Sequence, residues 1–400
     1  MVIFVLTPIY ATTTSKQGMT PVIHYFTREW AKMGHDVTVF NLVANYPKPF
    51  YWIGKLFQHR LNSWLGMLVP TESPKDCDYK AEGVTVHCRC FKKFRPHAPY
   101  SKNELQRALN YIISECERSG VPDWFVGHWD NPQLELLTAL KKRFGKPICL
   151  VFHSNRFDLK RKYGEAGVRM VKNLDVVGFR SNVGQENFIK QYGELAHSFI
   201  ASSGVSEFFL KAGAQSMRVV KQPIRNFVFV GSLINRKYPL AVLQALMKVY
   251  PAGGFKMTFI GDGAEKATIE NEYSRMGKKG ELVFTGRIPR ERIAEHLAKS
   301  DVFIMVSSGE IFGLVYLEAM SFGLITVGSK NEGIDGIIHD GDNGFLCEAG
   351  NVNELSEVLK KINTMPSEQL VIISKNARAT AFEYSDEGVA RRYLKALSQQ

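Results

Sequence analysis

The chain has 400 residues, 45% of them apolar, 22% charged and without a biased repeat, and it carries 51 Lys and Arg against 39 Asp and Glu. That length exceeds one ordinary hydrophobic core and suits two α/β domains of about 200 residues each, which sets aside disordered and fibrous classes. No run of eighteen apolar residues is present, so no segment is expected to span a membrane.

The positive charge is uneven: residues 1–225 hold 31 Lys and Arg against 18 Asp and Glu, a surplus of 13, while the remainder is close to neutral. A basic first half suits an anionic membrane or a phosphate-bearing acceptor. No nucleic-acid module accompanies the charge, so no nucleic-acid partner is expected. Six scattered cysteines lack paired metal spacing and read as reduced, cytoplasmic thiols.

Met1–Pro8 is apolar but lacks a basic leader region, and it reads as a first buried strand rather than a signal peptide. A polar loop to Gly18 precedes a helix expected over Met19–Met33, and a turn at Gly34-His35-Asp36 leads to a strand at Val37–Phe40. This is a mononucleotide-binding half-unit, and the absence of G-x-G-x-x-G disfavours a dinucleotide. Tyr46–Pro70 is aromatic-rich, with Lys48, Lys55 and Arg60 and no acid before Glu72. It fits a helix lying in a bilayer interface and equally a core-packed helix with exposed lysines. Lys92–His97 is a basic-aromatic cluster, and Ser101–Gly120 has helical periodicity.

His128 and His153 each follow an apolar strand, at the edge where α/β sheets place ligands. Asp175–Ser181 and Val183–Tyr192 form another strand-helix unit, and an irregular hinge is expected up to Pro223. A strand at Phe227–Gly231 then leads to the cations Arg236 and Lys237 just before a helix at Leu240–Val249. Gly261 and Ile288 follow strands at Lys256 and Leu282; a helix is expected at Pro289–Ala298, another at Asn351–Ile362 and a terminal one at Ser385–Leu397.

The chain is organised around Val302–Val306, an expected buried strand, the break at Ser307-Ser308-Gly309, and a helix read over Gly313–Phe322. Helix-start N–H groups there can hold phosphate. Glu310 in the turn suits sugar hydroxyls and Glu318 in the helix suits a ribose, while the bland alternative is two unrelated acids. Glu310 and Glu318, separated by seven residues with Phe312-Gly313-Leu314 between and Ala319-Met320 after, resemble the signature of retaining glycosyltransferase family 4.

The resemblance covers most of the chain and implies an α/β GT-B fold, two Rossmann-like doubly wound domains facing across a cleft. It implies an N-terminal acceptor-binding domain at 1–208, a C-terminal nucleotide-sugar domain at 209–380, and a terminal helix at 381–400 crossing back. By that resemblance Gly18 approaches the donor diphosphate and Lys237 neutralises the leaving diphosphate. Ser232 stands where the family has Arg, so Arg236 compensates. Gly261, Ile288, Phe312, Gly313 and Leu314 line the donor with Glu310 and Glu318. By the same resemblance His128 faces the acceptor, His153 matches the family's strand-end histidine, and His128, Glu310 and Lys237 form the catalytic group.

The implied enzyme is a retaining hexosyltransferase moving a sugar from a nucleoside-diphosphate sugar to a saccharide or lipid-linked oligosaccharide, as in bacterial surface polysaccharide assembly. It is expected to need no metal and no cofactor, since cationic side chains can serve the diphosphate. The expected place is the cytoplasm, peripheral on the inner membrane. A nucleotide-sugar epimerase of GT-B architecture and a non-catalytic basic adaptor are the alternative readings.

Overall fold

A computed structural model describes residues 1–12, 21–65, 69–95, 98–216, 219–220, 222–277 and 280–399, without the side chains of 59–65. The first sheet contains β1 (Val2–Thr7), β2 (Asp36–Asn45), β3 (Cys77–Ala81), β4 (Val84–Lys92), β5 (Trp124–His128), β6 (Ile148–Phe152), β7 (Val176–Phe179) and β8 (Ser198–Ile200). Their order is β3-β4-β2-β1-β5-β6-β7-β8, parallel except for the antiparallel β3–β4 pair. Helices cover both faces, so β5, β6 and β7 are buried end to end, as parallel strands require.

The second sheet contains β9 (Asn226–Val230), β10 (Lys256–Ile260), β11 (Glu281–Gly286), β12 (Val302–Ile304), β13 (Ile325–Ser329) and β14 (Phe345–Cys347). It runs β11-β10-β9-β12-β13-β14, all parallel, around one core. In each sheet the winding reverses once, between β1 and β5 in the first and between β9 and β12 in the second. Loops leaving the carboxyl ends of those strand pairs diverge and leave a crevice where ligands bind.

Several expected elements shift. The first helix is Val22–Lys32 rather than 19–33, and Met19 lies outside the described residues. The stretch expected to be an irregular hinge contains a helix, Glu207–Gln215, whose Phe209 and Leu210 enter the second core. Gly213 lets it lie against the helix Leu314–Ser321, for a Cβ there would sit 2.2 Å from the Ser321 carbonyl oxygen. Two helices close the chain, Ser367–Glu383 and Asp386–Ser398, where sequence periodicity suggested one.

The last helix packs on the first domain. Trp30 Nε1 donates to the Ala390 carbonyl at 3.2 Å, and the rings of Trp30 and Tyr393 meet edge to face with centroids 4.9 Å apart. Tyr393 is fully buried, also touching Phe26 and Phe199. Truncating such a ring removes its transfer free energy and leaves a cavity. Tyr393→Ala is expected to lower unfolding stability by about 3 kcal/mol, measured from the denaturant midpoint at constant slope.

Candidate functional site at the two switch points

At the second switch point Glu310 lies in the turn after β12, and Arg236 and Lys237 in the turn after β9. Lys237 Nζ is 3.4 Å from Glu310 Oε2 and Arg236 Nη1 is 3.9 Å from the same oxygen. Lys237 and Glu310 are largely shielded, with side chains 14% and 16% exposed. Glu310 Oε2 is enclosed yet accepts no hydrogen bond among the described residues. An enclosed carboxylate oxygen with acceptor capacity to spare is suited to a hydroxyl-bearing ligand.

Backbone bonds fix this turn. Glu332 accepts from the amides of Gly309 and Glu310 at 2.9 and 2.8 Å, and Ser308 N donates to the Arg236 carbonyl at 2.7 Å, tying the two loops together. Gly309 and Gly313 take positive φ of 64° and 76°, conformations that side chains with a Cβ resist. Gly313 caps the helix Leu314–Ser321, one residue later than its expected start, so Phe312, Gly313 and Leu314 bring its N-terminal end to the Glu310 turn. Gly261 presses on the neighbouring loop, where a Cβ would sit 2.0 Å from Gly231 O. Ile288, beyond β11, packs at the margin of the core.

Glu318 is not free. It is buried within its helix and ion-paired to Arg290, whose Nη1 donates to Tyr25 of the first domain at 3.1 Å. The expected open ribose acceptor is therefore occupied by a guanidinium in this structure, because Arg290 starts the helix Arg290–Leu297 directly opposite. Gly18 lies outside the described residues.

At the first switch point His128 requires a correction. Its side chain has no exposed surface, enclosed by Phe26, Tyr393 and His153, so it does not face an open acceptor pocket. Its Nδ1 lies 2.9 Å from His153 Nε2, while its Nε2 has no partner among the described residues. Burial, with the nearby Arg180 cation second, pushes the His128 pKa down to about 3, and the same causes hold His153 well below its usual value. Both rings are neutral at pH 7. Trp129, partly exposed, stacks on His153 with centroids 3.9 Å apart and adopts φ 65°, a rare conformation for a bulky residue.

Sequence reasoning missed the residues that join the two sites. Asn155 Nδ2 donates to the Glu310 carbonyl at 3.0 Å. Arg180 is buried, donates to the Ala201 carbonyl and Ser203 Oγ, and lies 5.7 Å from the Phe26 ring and 5.5 Å from the Phe312 ring. Its pKa is lowered to about 10 by burial. Arg180 ends an apolar strand and Asn155 follows His153 by two positions, the same strand-end signal that singled out the histidines. Among the described residues no group of three or more His, Cys, Asp or Glu is placed to hold a metal.

Residues 219–380 match the family described as Glycosyl transferases group 1. The chain is 32% identical to N-acetyl-alpha-D-glucosaminyl L-malate synthase of Bacillus anthracis over 38% of its own length and 39% of that protein. It is 33% identical to a sulfoquinovosyl transferase of Arabidopsis thaliana over 41% of its length and 31% of that protein. Thus it spans less than half the length of these two curated relatives. A D-inositol 3-phosphate glycosyltransferase of Acidothermus cellulolyticus is 22% identical over 76% of this chain and 75% of that one. In structure, the chain resembles an E. coli trehalose-6-phosphate protein bound with UDP-2-fluoro glucose at TM-score 0.70 and 12% identity, over 100% of this chain and 99% of that one. It also resembles sucrose-phosphate synthase of Thermosynechococcus elongatus at TM-score 0.66 and 16% identity, with the same coverage. The fold is GT-B, two parallel-sheet α/β domains, as the sequence led us to expect.

The buried histidines make stability depend on pH. A histidine whose pKa is lowered on folding binds its proton more readily when unfolded, so its contribution is complete above pH 6.5 and falls as the pH drops toward the folded value. For His128, with a folded pKa of about 3, the loss between pH 7 and pH 5 is about 2 kcal/mol. Urea unfolding at pH 7, 6 and 5 is expected to show this decline, with a shallower slope in His128→Asn whatever its absolute stability.

Proposed function

We propose that the protein is a glycosyltransferase that moves a sugar from a nucleoside-diphosphate sugar to a saccharide or lipid-linked oligosaccharide, with retention at the anomeric carbon. The observation that carries this reading is the pairing of Lys237 with a hydrogen-bond-poor Glu310 oxygen at the second switch point, inside the stretch that matches the glycosyltransferase family. The family match and the relatives support the reaction class. Retention and family 4 membership rest on the Glu310-to-Glu318 motif, and a role in surface polysaccharide assembly rests on the basic, aromatic-rich first half of the chain.

In the proposed reaction the bond between the anomeric carbon and the diphosphate oxygen breaks as the acceptor hydroxyl attacks from the same face, and the hydroxyl proton passes to the departing diphosphate oxygen. Negative charge develops on the departing diphosphate. Lys237, with Arg236 beside it, stabilises that charge, together with N–H groups at Phe312–Leu314. Glu310 Oε2 accepts from a sugar hydroxyl, which fills its unused capacity and orients the ring. Gly18, Gly261 and Ile288 line the remainder of the donor. Glu318 takes the ribose hydroxyls as donor entry displaces part of its bond with Arg290.

The acceptor lies on the first-domain side, over Trp129, with His128 and His153 beneath as a neutral floor that orients the stacked indole. No metal ion is needed in this reading, because two cations already address the leaving group.

A panel of nucleoside-diphosphate sugars, first screened by thermal shift, tests the proposal. The cognate donor is expected to raise the melting temperature, to be hydrolysed slowly alone, and to return without inversion at any ring carbon. Lys237→Ala is expected to lower kcat/KM by about 100- to 1000-fold while leaving folding intact. Failure of every donor to bind or turn over, or full activity in both Lys237→Ala and Glu310→Gln, overturns it.

A further inference from the structure

We propose that the outer face of the first half of the helix Lys48–Leu65, residues 48–58, together with Phe94, docks onto an anionic lipid bilayer.

The helix has two unlike faces over its first half. Tyr51 is buried, its hydroxyl accepting from Tyr46 N at 2.8 Å and donating to Asn45 Oδ1 at 3.2 Å. Gly54 is also buried, so close to the chain that a Cβ would sit 2.7 Å from the Pro70 carbonyl oxygen. With that side fixed, Trp52, Ile53, Leu56 and Phe57 point outward and are 66%, 47%, 57% and 49% exposed. The spacing i, i+1, i+4 places Trp52, Ile53 and Leu56 on one stripe, and Phe57, where the helix kinks at φ −117°, adds a fourth exposed apolar side chain next to Leu56. Four large apolar side chains exposed together mark an interaction surface rather than ordinary scatter.

A second feature leaves the same corner of the sheet. β2 and β4 end side by side, Asn45 opposite Lys92, and Lys93 N donates to the Asn45 carbonyl at 2.9 Å. Phe94, two residues past β4, is 83% exposed, the most exposed of the large apolar side chains in the described residues. The helix therefore leaves from one strand end and Phe94 from its neighbour.

The charge at this corner selects the occupant. No Asp or Glu occurs between Asp36 and Glu72 or between Glu82 and Glu104, while Lys48, Lys55, Arg89, Lys92, Lys93, Arg95 and Lys102 fall in these two stretches. Arg89 is spent on Asp78, in a bidentate pair, and Lys93 Nζ lies 4.7 Å from the Tyr100 ring. Lys48, Lys55, Lys92 and Arg95 are exposed. Glu104 lies at this corner too, but its carboxylate is taken up by Lys92 N at 2.8 Å and by Arg107. An apolar stripe flanked by these exposed bases matches a negatively charged lipid surface, where aromatic and aliphatic groups enter the interfacial layer and lysines meet headgroups. A second copy of this chain would bring the same bases face to face, which charge repulsion opposes. No described helix is long and apolar enough to cross a membrane, so the contact is peripheral.

This surface sits at the carboxyl edge of the first sheet, the edge that also carries His128 and His153. A docked molecule thus presents that edge toward the bilayer. The inference does not depend on the proposed transfer reaction, because binding is measured without any sugar nucleotide.

Co-sedimentation of the full chain with vesicles tests it. Vesicles of equimolar phosphatidylcholine and phosphatidylglycerol are expected to retain the protein, and pure phosphatidylcholine at least tenfold less. The double variant Leu56→Glu/Phe57→Glu, and separately Phe94→Glu, are expected to lower partitioning to the mixed vesicles at least tenfold and threefold, with unchanged circular dichroism and melting temperature. Raising salt is expected to weaken binding of the parent chain, since headgroup attraction is screened. Equal binding to both vesicle types, unaltered binding in the variants, or a parent dimer in solution that Leu56→Glu/Phe57→Glu converts to monomer would overturn the proposal.

Discussion

The meeting of Lys237 and Glu310 at the reversal of the second sheet is the constraint on which the remaining architecture turns. A shielded charge is costly unless an opposite charge or strong hydrogen bonds compensate it, and Glu310 faces both Lys237 and Arg236. Here the pair compensates itself, while the backbone of the Glu310 turn hangs from the Glu332 carboxylate. Those main-chain bonds fix the turn rather than the Glu310 carboxylate, whose Oε2 accepts no hydrogen bond among the described residues. Such a site is organised before a ligand arrives, so little ordering is left to be done on binding.

Guanidinium and aromatic groups carry the contact between the lobes. Arg180 of the first lobe reaches Phe312 of the second, and Arg290 of the second reaches Tyr25 of the first. Asn155 ties the first lobe directly to the Glu310 carbonyl. A ligand disturbing Glu318 or Phe312 therefore touches the interface as well as its own pocket. Nearby, Arg28 pairs with Asp386 at the start of the last helix, and burial raises the Asp386 pKa to about 6 despite that partner. The chain end is thereby part of the same polar seam.

Much of this was legible in the sequence, wherever the signal was local. Short apolar runs ending in Gly, Ser or His gave strand ends, and strand ends in a parallel sheet are where side chains meet ligands. Glu310 was found in that way, whereas Lys237 and Gly313 were singled out by the resemblance to the family, and Lys237 does meet Glu310. The fate of His128 was not legible, because what encloses it is Tyr393 from the far end of the chain. Arg290 and Arg180 were missed for a related reason: a charged residue after a strand is usually solvated, and only the opposing lobe reveals otherwise. The helix Glu207–Gln215 escaped although Ser206 at its start and the Glu207–Lys211 pair are local signals for it, because its short apolar face is completed only by tertiary contact with Ser321. The exposed stripe beside Phe57 was visible as composition, but which face looked outward needed Tyr51 and Gly54 in place.

The most direct test of the central claim is calorimetric titration with nucleoside diphosphates and the matching monophosphates, in the parent chain and in Lys237→Ala. The second phosphate should add at least tenfold in affinity in the parent chain, and that gain should vanish in the variant. Equal affinity for the two nucleotides, or a gain that survives loss of Lys237, would contradict a diphosphate site built on this pair.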